Sequence, residues 1–353
     1  MVEHSRAPAL DVLRLVAVLA VAAYHFGFRG PAGMVAVPDV ASVARYGFMG
    51  VPAFFVISGF VIAYSAEGRT AISFAIARFS RIYPTFLLCM TFTFVAVLFF
   101  GAPDFHATFL QWAANLVIVA PGHTYIDSAY WSLVIEVIFY GWVVVLIRLG
   151  LFQRRCDVVL LCWIAVSLLN ELTLDIRVFG KTLLTDYSGF FASGIVMYQM
   201  LAGKPDGRLR CIFLLAVMTG TYQAVHNLRW IRQETGSDFN ELMVAAMFIA
   251  SVAVIFLATR IKHLPLSPKL WLAVGGCTYP LYLLHQQLGY VAFTRMNTAA
   301  YPFFFATIDV LIIALISWAI WRFFEPPVQR WTKARLTLTA TRLGATTKPA
   351  LIA

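Results

Sequence analysis

The chain of 353 residues is 61% hydrophobic and 12% charged, with a mean hydropathy of +0.79, whereas a soluble domain is nearer half apolar and about a quarter charged. That balance excludes an ordinary water-soluble domain and leaves the bilayer as the solvent. The formal net charge of +10 fits Lys and Arg gathered in cytoplasmic loops for orientation and lipid contact, so membrane lipids are expected partners and nucleic acid is not.

In chain order, apolar runs long enough to span, or nearly so, cover residues 10 to 28, 46 to 65, 84 to 100, 129 to 149, 156 to 172 and 186 to 202. Four more follow at 211 to 228, 239 to 258, 270 to 292 and 300 to 323. They predict an all-α fold, a polytopic membrane bundle of about ten transmembrane helices. One membrane domain is expected over 1–325, with a polar C-terminal tail over 326–353. The stretch 107 to 120 is shorter, carries Gln111 and Asn115, and is read as a re-entrant or interfacial helix.

With the N-terminus inside, cytoplasmic loops and tails hold 19 Lys and Arg, outer loops hold 7, and Arg14 lies within the first helix. The positive-inside rule then places both termini in the cytoplasm. The loop 66 to 83, with Arg69, Arg78 and Arg81, faces the cytoplasm, and 101 to 128, without Lys or Arg, faces outward. A competing reading takes LVAVLAVAA after Arg14 as a signal h-region ending at a cleavage site near Ala20-Val21-Ala22. Ser58-Gly59-Phe60 is echoed by Ser188-Gly189-Phe190, too short a repeat to argue for an inverted-repeat transporter. The five cysteines (Cys89, Cys156, Cys162, Cys211, Cys277) show neither CxxC nor Cys/His spacing, so neither a disulfide framework nor a metal site is expected.

An ionised side chain at mid-bilayer costs about 2.5 to 3.5 kcal/mol on insertion scales, which makes such residues candidates for function. Here they are Arg14, His25, Glu136, His285, Asp309 and Glu241. Counted from the outer ends of their helices, His25, Glu136 and His285 lie about 5 to 11 Å deep at 1.5 Å rise, so all three can share one layer. Arg14 lies toward the cytoplasm, roughly 16 Å from His25, with Asp11 as a candidate partner. A neutral His beside a carboxylate is a plausible general base near pH 7. The bland alternative for each lone group is a hydrogen-bonded interhelical contact, and His285 and Asp309, taken alone, are read that way. The segment RFSRIYP sets Arg78 and Arg81 on neighbouring helical positions before Pro84, a pair able to hold phosphates or simply to fix topology. No Walker-type loop, HExxH or GxSxG is present.

Several segments together resemble one family, the acyltransferase family 3 membrane O-acyltransferases. They are LDVLRLVAVLAVAAYH (10 to 25), GVPAFFVISGFVI (50 to 62), RFSRIYP, AYWSLVIEVIFY (129 to 140), YPLYLLH (279 to 285) and RFFEPP (322 to 327). The resemblance implies acyl transfer, with acetyl favoured, from cytoplasmic acyl-CoA to a hydroxyl of an extracytoplasmic or lipid-linked glycan. It implies a bacterial inner membrane location and no permanently bound cofactor. It maps the family's N-terminal Arg and His onto Arg14 and His25, its arginine motif onto Arg78 and Arg81, and its WSLxxE motif onto Trp131, Ser132 and Glu136. His25 and Glu136 are therefore the expected catalytic residues, and Arg14, Arg69, Arg78 and Arg81 the expected donor-binding ones. The sequence departs from the family in having fewer basic residues in the arginine motif, and Gln286 and Gln287 after His285 where Trp and Pro are common. The hydrolase-like domain appended in some members is not expected. The rival function is a proton-coupled transporter or flippase of a glycan or lipid, with the intramembrane His, Glu and Asp as relay; a purely structural membrane protein is a third.

Overall fold

A computed structural model describes residues 8–30, 38–119, 122, 124–203, 206–261, 267–295 and 301–345. Every regular element among them is helical. Eight helical stretches are at least 18 residues long and apolar enough to cross a membrane: Pro8–Arg29, Ala41–Ala66, Ala71–Phe100, Tyr130–Arg148, Cys156–Leu174, Gly207–Thr235, Glu241–Ala258 and Pro302–Arg342. The chain is a multi-pass membrane protein by that measure. The other two predicted spans are helical as well, over Ser188–Ala202 and Pro268–Arg295. The first has only 15 residues, about 22 Å at 1.5 Å rise against a hydrocarbon core of about 30 Å. The second is long enough but carries Tyr279, Tyr282, His285, Gln286 and Gln287.

We name the helices used below α1 (Pro8–Tyr24), α2 (Gly50–Ala66), α3 (Ala71–Phe100), α4 (Phe109–Asn115) and α5 (Tyr130–Arg148). They continue as α6 (Cys156–Leu169), α7 (Ser188–Ala202), α8 (Gly207–His226), α9 (Glu241–Ala258), α10 (Pro268–Arg295), α11 (Pro302–Ala319) and α12 (Glu325–Arg342). Two sequence expectations change in detail. Pro84 does not open a span; it lies inside α3, so Arg78 and Arg81 sit on that helix, and only residues 67 to 70 form the turn before it. A membrane helix absorbs such a proline because its N–H loss leaves one carbonyl to local adjustment. The short 107 to 120 element is α4, capped by the Thr108 side chain, which accepts from the Gln111 N–H at 3.1 Å.

The chain forms two compact units. The first takes in residues 1–50, 79–134 and 261–332. Within it α10 packs against α1 and α11, and both contacts are closed by glycine: a Cβ at Gly275 would overlap Asp11, and one at Gly289 would crowd Phe26 and the Asp309 carboxylate. Ala22, Phe26, Tyr290, Phe293 and Ala306 make an apolar cluster there. The second unit takes in residues 51–78, 135–260 and 333–353. Its centre is α7, buried without interruption from Ser188 to Tyr198, as expected of a helix apolar on all faces. Gly59 and Gly194 let the α2 and α7 backbones touch, since a Cβ at Gly194 would overlap the Val56 carbonyl oxygen. The Ser-Gly-Phe echo thus has a packing use on the α2 side.

Candidate active site

His25 directly follows α1. From it the chain makes one π turn over His25–Arg29, closed by the Gly30 N–H on the His25 carbonyl at 2.9 Å. Single π turns recur at functional positions. The His25 ring is buried, its Nδ1 is 3.0 Å from the Tyr290 hydroxyl, and its centroid is 5.3 Å from that of His285, with the planes at 52°. Both histidines belong to the first unit.

His285 is the better defined of the two. Its Nδ1 lies 2.7 Å from the Tyr282 carbonyl oxygen one turn back in α10. A carbonyl can only accept, so Nδ1 carries the proton and Nε2 keeps the lone pair. That Nε2 is buried and has no hydrogen-bond partner among the described residues. The arrangement is a neutral base with its acceptor nitrogen uncommitted.

The residues around α10 come from the loop ahead of α5. Gln111 Nε2 donates to Thr124 Oγ1 and the Tyr125 carbonyl, and Asn115 accepts from the Ile126 N–H, so the two polar residues of α4 hold that loop. Asp127 follows, fully buried, accepting from the Ala129 N–H and the Gln287 N–H at 2.8 Å each. Gln286 Nε2 donates to Ser128 Oγ, and the Tyr282 hydroxyl lies 2.6 Å from Ser132 Oγ. Burial pushes the Asp127 carboxyl up to about 7, although both backbone N–H donors work against the rise.

The other expected residues lie elsewhere. In the second unit Glu136, partly buried, accepts from Ser58 Oγ at 2.9 Å and from the Tyr140 hydroxyl. Arg78 stands over the Phe74 ring at 5.7 Å, and that ring meets Tyr140 edge-on. Arg69 belongs to the turn before α3, its N–H on the Ala66 carbonyl. In the first unit Arg14 pairs with Asp11 at 2.9 Å, and Arg81 interacts electrostatically with Glu325 of the RFFEPP segment. Asp309 is buried in α11 with Oδ2 unpartnered among the described residues. Glu241 is an exposed end-of-helix group held by Arg232 at 3.0 Å.

Of the expected catalytic and relay groups, the first unit brings His25 and His285 together. Sequence reasoning passed over Tyr290, Tyr282 and Asp127. No spacing rule links Tyr290 to His25 across 265 positions. A signal for one α10 contact was present in Gln286, an amide within a span that demands a partner, whereas Gln287 meets Asp127 through its backbone N–H, which its side chain does not announce.

These features define a helical membrane protein with a buried pair of histidines among hydroxyl and amide side chains. The chain belongs to acyltransferase family 3, whose acyltransferase-domain model matches residues 8–322. It is similar to O-acetyltransferase OatA of Staphylococcus aureus strain NCTC 8325, 23% identical over an alignment 368 positions long that takes in 92% of this chain and 57% of the relative. The same figures hold for OatA of strain COL. The chain therefore spans somewhat more than half the length of these relatives. No solved structure matches it.

Proposed function

We propose that this protein is a membrane O-acyltransferase of the bacterial inner membrane. It moves an acyl group, acetyl foremost, from cytoplasmic acyl-CoA to a hydroxyl of an extracytoplasmic or lipid-linked glycan. Family membership and the names of the OatA relatives support the reaction class. The observation that carries the chemistry is the buried His25–His285 pair, with rings 5.3 Å apart.

In this reading an acceptor oxygen attacks the thioester carbonyl while its proton passes to the histidine pair, with His25 as the base. The C–O bond forms, the tetrahedral intermediate collapses, and the C–S bond breaks to release CoA thiolate. A thiol with a pKa near 8.5, as in cysteine, leaves without a strong general acid. That thiolate then takes the proton. Tyr290 orients the His25 ring through the 3.0 Å contact. Arg78 and Arg81, three residues apart on α3, together with Arg69 and Arg14, supply cations for the CoA phosphates on the cytoplasmic side.

The test is acyl-CoA-dependent labelling of membrane glycan by vesicles that contain the protein, with free thiol measured in parallel. Labelled glycan and stoichiometric thiol are expected. Intact acyl-CoA together with movement of glycan or lipid across the membrane would replace this reading with the transporter.

A further inference from the structure

Asp127 is a buried carboxylate that the reaction above does not use. Its two oxygens meet two backbone N–H groups, one local and one distant along the chain: Ala129, just ahead of α5, and Gln287, within α10. The Gln287 N–H is an unusual target, because a mid-helix N–H already has the carbonyl four residues back as its partner. The same loop and the first turn of α5 touch α10 twice more, through Ser128 on Gln286 and through Ser132 and the Ala129 carbonyl on Tyr282. These contacts fall at positions 282, 286 and 287, on both sides of His285. A helix turns about 100° per residue, so a clamp at these positions sets where the His285 ring points.

We infer that Asp127 is a positioning residue for His285, holding α10 in the rotation that brings the His285 ring against His25. The inference rests on the histidine-pair reading of the reaction. A carboxylate suits the task because it offers acceptors to both N–H groups, whereas an amide offers one. Stability alone is a poor reason for it, since burial works against its charge. Its distance along the chain from His285 makes it invisible to motif reading.

The experiment measures transfer of radiolabelled acetyl from acetyl-CoA to glycan in vesicles, normalised to folded protein. Asp127→Ala should lower kcat about tenfold and leave KM for acetyl-CoA within about twofold, as expected for a misaligned reacting group. Asp127→Asn, with one acceptor left, should recover part of that loss. In a His285→Ala background Asp127→Ala should add nothing, because both changes act through one ring. Wild-type kcat in Asp127→Ala, or losses that multiply in the double variant, would overturn the inference while leaving the histidine pair standing. Should Asp127→Ala fail to reach the membrane, wild-type kcat in folded Asp127→Asn would overturn it as well. Full activity in His285→Ala would instead remove the paired reading on which the inference rests.

Discussion

The Glu136 group in the second unit and the His285 group in the first are ionisable side chains on membrane helices with opposite surroundings. Glu136 is met by two hydroxyl donors, Ser58 and Tyr140, one of them a single turn away on its own helix. His285 Nε2 is buried with no donor among the described residues, although its other nitrogen is locked by a carbonyl. An unsatisfied buried acceptor costs about 1 to 3 kcal/mol, so it calls for an explanation in a way that a satisfied one does not. The contrast separates a polar group whose hydrogen bonds are made from one whose acceptor is left unmet among the described residues.

The hardest test of that contrast is at the histidines. His25→Ala should reach the membrane at normal abundance and lose at least about a hundredfold in acyl transfer, the scale of a missing general base. His25→Gln, which cannot take up the proton productively, should be equally inactive. Transfer near wild type by well-expressed His25→Ala would leave His285 as the base.

A smaller effect is expected on the donor side. Arg78→Ala and Arg81→Ala should raise KM for acyl-CoA several-fold more than they lower kcat, because remote phosphate contacts act mainly as binding handles. Steady-state kinetics in vesicles decide this, and an unchanged KM in both would make the two arginines topogenic only.

Glu136→Gln sharpens the other side of the comparison. Its amide oxygen still accepts from Ser58 or Tyr140, so substantial activity should survive, and Glu136→Leu, which leaves both hydroxyls without their acceptor, should lose more. Equal activities in the two variants, measured at matched abundance, would show that the hydrogen bonds at Glu136 do not matter to transfer.

The smallest effect concerns pH. Asp127 is lifted from an ordinary 3.8 to about 7, so the folded chain binds this proton more tightly than the unfolded one. The group therefore favours folding fully below about 3.8, and that contribution is lost as pH rises through about 7. The melting temperature of Asp127→Asn minus that of wild type should increase between pH 5 and pH 8, and a constant difference would show that Asp127 does not titrate there.

Much of the architecture was legible from the chain alone. Each of the ten apolar runs falls on a helix, and eight of the helical stretches among the described residues are long and apolar enough to span, because a backbone in hydrocarbon has to satisfy its own hydrogen bonds. The start of α3 was not legible, since Pro84 reads as a helix start in water and is absorbed inside a membrane helix. At the candidate site, His25 and His285 were legible as ionisable groups within spans. Their partners were not: Tyr290 is an ordinary aromatic residue of a membrane helix, and Asp127 an ordinary loop acid.

The sequence by itself determined the solvent, the helical class and the family, because those depend on composition, local periodicity and short motifs. Only the tertiary structure decided which nitrogen of His285 carries its proton, which ring lies beside His25, and which carboxylate holds α10. The first depends on the rotamer that turns the His285 ring onto a carbonyl three residues back in its own helix, and the other two are contacts between segments up to 265 residues apart that no local pattern encodes.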